Sequence, residues 1–130
     1  MQKEFLALRR KLLKHRATVI ESRTKKFDDF IAKLSEALGD KVTIILIGSR
    51  ARGTAKPYSD FDLLIVYKGL KEDDIYATVR TCKSMDLPVD IILMRVDDFN
   101  SNNKVLKEML KGMRILHDGL KLIKKYQTSI

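Results

Sequence analysis

The sequence holds one cysteine, Cys82, two histidines, His15 and His117, two prolines, Pro57 and Pro88, and no tryptophan. A lone thiol excludes an intramolecular disulfide, and one Cys with two His cannot close a tetrahedral Cys/His zinc site. Any metal must be held by oxygen. No stretch approaches the roughly 18–20 consecutive apolar residues that span a bilayer, so a membrane protein is not expected. The opening MQKEFLALRR breaks its apolar positions with charge and offers no small-residue cleavage site. No secretory signal is legible, and a cytoplasmic location is expected. Acidic charge is in deficit: 17 Asp plus Glu face 26 Lys plus Arg, for a net charge of +9. That balance favours polyanionic partners such as nucleotides, nucleic acid or an acidic protein, or reflects no more than a solvated basic surface; it says nothing of fold.

What is present fits one ordinary domain. With 130 residues, 45% hydrophobic and 33% charged, the chain can bury a core without disulfides. From Gln2 to Leu38 there is neither proline nor glycine, and Leu8, Leu12, Phe27, Phe30, Ile31, Leu34 and Leu38 recur at helical spacing. Two helices, or one long bent helix, are expected, stopped by Gly39. The run Val42–Ile47, VTIILI, reads as a strand buried on both faces. A loop with Gly48, Gly53 and Pro57 leads to a second strand near Asp60–Tyr67, ended by Lys68 and Gly69. A helix over about Glu72–Ser84 and a strand over Val89–Met94 follow. Asn100–Asn103 reads as a turn, and Val105, Leu106, Met109, Leu110 and Met113 form a helical stripe expected in the core. After Arg114–Leu116, the triplet His117-Asp118-Gly119 reads as a turn, followed by a basic amphipathic closing helix with Leu120, Leu122 and Ile123.

The chemistry concentrates between Gly48 and Val66. Asp60 and Asp62 stand two apart on the expected strand, and strand residues i and i+2 share a face some 6–7 Å apart. Paired carboxylates beside a nucleotide suit Mg²⁺, which takes oxygen ligands from one or two carboxylates and substrate phosphates. Phe61, between them, should face the opposite side and be buried. Upstream, Gly48-Ser49 sits where a strand gives way to a short helix, a place where free backbone N–H groups and the helix dipole attract phosphate. Ser49 as a helix N-cap is the plainer reading, and the two roles are compatible. Arg50 and Arg52 cannot both face a site from a short helix, so one of them should point elsewhere. The string Gly48-x-x-x-x-Gly53 also spells part of a P-loop, but the required lysine is missing and the chain reaches Asp60 too soon for a βαβ helix. Asp90, at the start of the later strand, completes a carboxylate triad if that strand lies beside the one carrying Asp60 and Asp62.

These residues resemble the nucleotidyltransferases of the DNA polymerase β superfamily, specifically the minimal nucleotidyltransferases, or MNT proteins. The family pattern Gly-Ser-x-Ala-Arg-Gly, then Ser-Asp-x-Asp-Leu, then a third carboxylate, reads here Gly48, Ser49, Ala51, Arg52, Gly53, then Ser59, Asp60, Asp62, Leu63, then Asp90. The likeness covers about residues 40–95. It implies an α/β (α+β) fold with a small mixed sheet flanked by helices, in a single domain of residues 1–130. Residues 1–25 would be a helical extension to the minimal family, a packing or dimerisation helix or, on the sharper reading, a basic surface for an acceptor or nucleic acid.

By the same resemblance Gly48, Ser49, Arg52 and Ser59 would bind the nucleotide. Asp60, Asp62 and Asp90 would hold two Mg²⁺ ions and activate the incoming hydroxyl. The implied reaction moves a nucleoside monophosphate, AMP from ATP, to a hydroxyl on another protein. Family members commonly pair as antitoxin with a HEPN-domain toxin. Two other readings stand beside it: a nucleotide-holding module that neutralises its partner by covering it, and a basic nucleic-acid-binding domain. Homo-oligomerisation is left open.

Overall fold

The computed structural model describes residues 2–56, 59–100 and 102–123, with residues 2 and 15–21 described by backbone alone. The expectations placed on Pro57 and on the closing segment beyond Ile123 fall outside these residues.

Helix α1 runs without interruption from Gln2 to Leu38. The choice between two helices and a bent one therefore resolves to one continuous element, as a segment free of proline and glycine allows. Gly39 ends it with φ +59°, a left-handed conformation that costs glycine little, and a single 3₁₀ turn, Gly39–Lys41, leads into strand β1, Val42–Ile47. A short helix α2, Gly48–Arg52, follows. Strand β2, Phe61–Tyr67, helix α3, Glu72–Cys82, and strand β3, Val89–Arg95, form a crossover unit. Helix α4, Lys104–Met109, opens on Asn103, whose side chain accepts from the Leu106 N–H at 3.0 Å.

The four strands lie in the order β3-β2-β1-β4, where β4 is Arg114–Asp118. β1 pairs antiparallel with both neighbours, while β2 and β3 are parallel, as a helical crossover requires. The fourth strand was not legible. Arg114–Leu116 is too short a string to declare itself, and the turn-like His117 and Asp118 are in fact its last two residues. Asp118 ends the strand by turning its carboxylate to three donors. It accepts from the Thr43 hydroxyl at 2.8 Å, the Leu122 N–H at 2.9 Å and the Ile123 N–H at 3.3 Å.

Alternation along the central strands divides the core in two. Ile44 and Leu46 of β1, with Phe61, Leu63 and Ile65 of β2, pack against Phe27, Phe30 and Leu34 of α1 and Ile75 and Val79 of α3. Ile45 and Ile47, with Leu64 and Val66, face the other way, toward Leu106 and Leu110 of α4. Val105, expected in that stripe's core, is exposed at 69% because α4 presents only one face to the sheet. Asp62 falls on the α4 side and Phe61 on the α1 side.

Candidate active site

β1 ends at Ile47, and Gly48 turns the chain into α2 with φ +77°, in the left-handed region. The residue before it, Ile47, is extended and supplies no side-chain cap. The N-cap role considered for Ser49 is thus not used. Ser49 is already inside the helix, and its carbonyl accepts from the Thr54 N–H at 3.0 Å. The first turn of α2 keeps its N–H groups clear of a side-chain cap, next to the end of β2 that carries Asp62.

The two arginines part company. Arg50 lies with its guanidinium 4.0 Å over the Phe61 ring and donates to the Ser59 carbonyl from Nε at 3.1 Å and from its terminal nitrogen at 2.7 Å. Phe61 is stacked in turn on Phe27, with ring centroids 4.1 Å apart. Arg50 is therefore a brace between the loop and the α1 layer. Arg52 turns to the opposite side and lines a cavity of about 250 Å³ together with Ile47, Gly48, Asp62, Asp90, Ile92, Glu108 and Met109. Its stem packs on Gly112, where an added Cβ would stand 2.6 Å from Arg52 Cγ.

The parallel β2–β3 ladder makes Asp62 and Asp90 register partners. The Phe61 N–H donates to the Pro88 carbonyl at 2.9 Å, which seats the start of β3 beside the start of β2. Asp60 stands one residue before β2 and is exposed. The Asp62 carboxyl is held above its ordinary range, first by loss of water and then by the charges of Asp90 and Asp60. Ser59 faces inward to its own loop, where its hydroxyl accepts from the Lys56 N–H at 3.1 Å. The structure thus gathers Gly48, Arg52, Asp62 and Asp90 around one cavity, with Asp60 at its approach, while Ser49 and Ser59 shape the loops beside it. Glu108 had no sequence signal, and Met109 was legible only as part of the apolar stripe expected in the core. They reach the cavity because α4 packs on the face where Asp62 points, and Glu108 pairs with Lys111 at 3.0 Å at its rim.

Among the described residues, no three His, Cys, Asp or Glu side chains already stand as a ready-made metal cage. A hard divalent ion bound beside a nucleotide does not require one, because one or two carboxylates plus phosphate oxygens and water suffice. An all-oxygen donor set, with Asp62 burdened by neighbouring negative charge, fits such an ion.

A mixed α/β sheet thus sets register-paired carboxylates beside a glycine turn at one cavity. The chain belongs to the nucleotidyltransferase domain family, whose pattern matches residues 25–117. It is 33% identical over 113 residues to a Methanocaldococcus jannaschii protein provisionally named a protein adenylyltransferase, spanning 79% of this chain and 77% of that one. In fold it resembles a Sulfolobus solfataricus protein provisionally described as a nucleotidyltransferase. The TM-score is 0.51 at 22% identity, over 77% of this chain and 84% of that one. A chain from a toxin–antitoxin complex with AMP-PNP aligns with a TM-score of 0.46 at 23% identity, over 78% and 87% of the two chains. The first likeness is one of fold, and the second is too distant to add to it. Among the described residues no helix is long and apolar enough to cross a membrane.

Proposed function

We propose that this nucleotidyltransferase moves AMP from ATP onto a hydroxyl of a partner protein, as the antitoxin member of a pair with a HEPN-type toxin. The observation that carries the reading is the register pairing of Asp62 with Asp90 in the cavity that Gly48 and Arg52 share. The relative named as a protein adenylyltransferase supports both AMP as the transferred group and protein as its acceptor. The resemblance to the minimal nucleotidyltransferases supports the HEPN-type partner.

In this reading Asp60, Asp62 and Asp90 would hold Mg²⁺, which when bound would offset the negative charge of the triphosphate oxygens and leave the α-phosphorus more open to attack. Gly48, lacking a side chain, lets phosphate oxygens approach the uncapped start of α2. Arg52 adds a fixed positive charge at the same cavity. Asp90 takes the proton of the acceptor hydroxyl. The hydroxyl oxygen forms its bond to the α-phosphorus as the α–β phosphoanhydride bond breaks, and pyrophosphate leaves with that electron pair. Ser49 and Ser59 keep the two loops in place around the nucleotide.

The test incubates the protein with Mg²⁺, each radiolabelled nucleoside triphosphate in turn, and a HEPN-type partner shown to bind. Label from ATP on the partner, lost in Asp62→Asn, is expected. Absence of label with every nucleotide, despite binding, would overturn the reading.

A further inference from the structure

α1 is much longer than the sheet it covers. At the catalytic end of the sheet Thr24, Phe27 and Asp28 line one cavity with Leu46, Arg50 and Phe61, and Phe27 stacks on Phe61. Leu38 lies at the other end, joined through the 3₁₀ turn to the start of β1. Following the helix from Thr24 toward its N-terminus therefore leads out past the edge where Gly48, Asp60, Asp62 and Asp90 stand. At 1.5 Å per residue, residues 2–22 would reach about 32 Å beyond that edge. Residues 3–14 are all exposed.

This overhang carries apolar side chains that the domain never covers: Phe5, Leu6, Leu8, Leu12 and Leu13 are 51–66% exposed. Contiguous apolar surface of this kind marks a binding face. Charge decides among its occupants. Over residues 3–13 the charges are Lys3, Arg9, Arg10 and Lys11 against Glu4, so a second copy of the same stretch would set like charge against like charge. A bilayer surface is disfavoured by the place of Arg9. It lies three residues from Leu6 and Leu12 and four from Phe5 and Leu13, so on a helix it sits in the middle of the apolar patch. Seating that patch in lipid would bury the guanidinium at its centre, whereas an acidic side chain on a protein partner would pair with it.

We infer that the N-terminal half of α1 is a docking arm for the acceptor protein and takes an acidic amphipathic helix. The inference rests on the protein acceptor proposed above and adds where and how it is held: the arm leaves the domain at the catalytic edge, so a partner lying along it is delivered there.

The test titrates the full chain with a synthetic helical peptide of about 20 residues, long enough to hold a helix, bearing leucine on one face, glutamate on the rest and one tyrosine. Binding that weakens with added salt is expected, and Arg9→Glu and Leu12→Glu should each weaken it about tenfold or more. Both positions are exposed, so unchanged melting temperatures exclude misfolding as the cause. No binding, binding indifferent to Arg9→Glu, tighter binding to phosphatidylglycerol vesicles than to the peptide, or self-association abolished by Arg9→Glu would each overturn the inference. Binding is read without nucleotide and should persist in Asp62→Asn. Peptide bound but never labelled would count against the proposed transfer alone. A labelled partner protein whose binding and labelling ignore Arg9→Glu and Leu12→Glu would count against the arm alone.

Discussion

Gly48 and the Asp62 carboxylate occupy almost the same space: a Cβ on Gly48 would stand 2.6 Å from Asp62 Oδ2. With φ +77° at Gly48, an L side chain there is also strained, which costs on the order of 1 kcal/mol. Gly48→Ala should therefore push Asp62 off its position. We expect the variant to remain folded but to lose nucleotidyl transfer by about a hundredfold or more, the scale of misplacing a reacting group. A steady-state assay beside a thermal melt checks both halves.

Asp62 makes the uncomplexed protein less stable than it could be. Its carboxyl binds a proton more tightly in the folded chain than in the unfolded one, through desolvation and then Asp90 and Asp60. The favourable contribution is therefore fully present in acid, below the unfolded carboxylate range, and is lost as pH rises through the raised folded value. At pH 7.5 in EDTA, Asp62→Asn should melt about 2 °C higher than the native protein while being inactive. At pH 4 the difference should shrink, since the raised native carboxyl takes up its proton as the pH falls, ahead of the unfolded one. An equal difference at both pH values would refute the electrostatic origin.

Arg50 and Arg52 should fail in opposite ways. Arg50→Ala removes the contact over Phe61 and both bonds to the Ser59 carbonyl, so it should cost about 1–2 kcal/mol of stability by denaturant titration. Arg52→Ala, at an exposed side chain lining the cavity, should leave stability unchanged. Nucleotide affinity should fall about tenfold, or 1.4 kcal/mol, by calorimetry.

Much of this site could be read in advance. The spelling from Gly48 to Val66, the alternation that sends Asp62 and Phe61 to opposite faces, and the buried run Val42–Ile47 are local properties of one segment, which a sequence displays directly. What stayed hidden was relational. Glu108 and Met109 reach the cavity only because α4 folds back across the sheet, β4 exists only through its ladder with β1, and the choice between Arg50 and Arg52 is made by Phe61. No periodicity within a segment encodes those partners.

Asp118 offers a test of the hidden strand. Asp118→Ala would leave the buried Thr43 hydroxyl without its carboxylate acceptor and free the Leu122 and Ile123 N–H groups. A loss of about 2 kcal/mol is expected in thermal or urea unfolding. A turn residue of no structural consequence would change stability by less than about 0.5 kcal/mol.

The pairing of Asp62 with Asp90 ties the proposed catalysis to the ladder between β2 and β3. β3 is an edge strand, held on one side only by β2, and a one-residue slip would turn Asp90 to the opposite face of the sheet. Opening of that edge needs far less disruption than global unfolding. Activity should then vanish while most of the domain remains intact: deuterium uptake at the β3 amides and loss of turnover should rise together under mild denaturant, before the core melts.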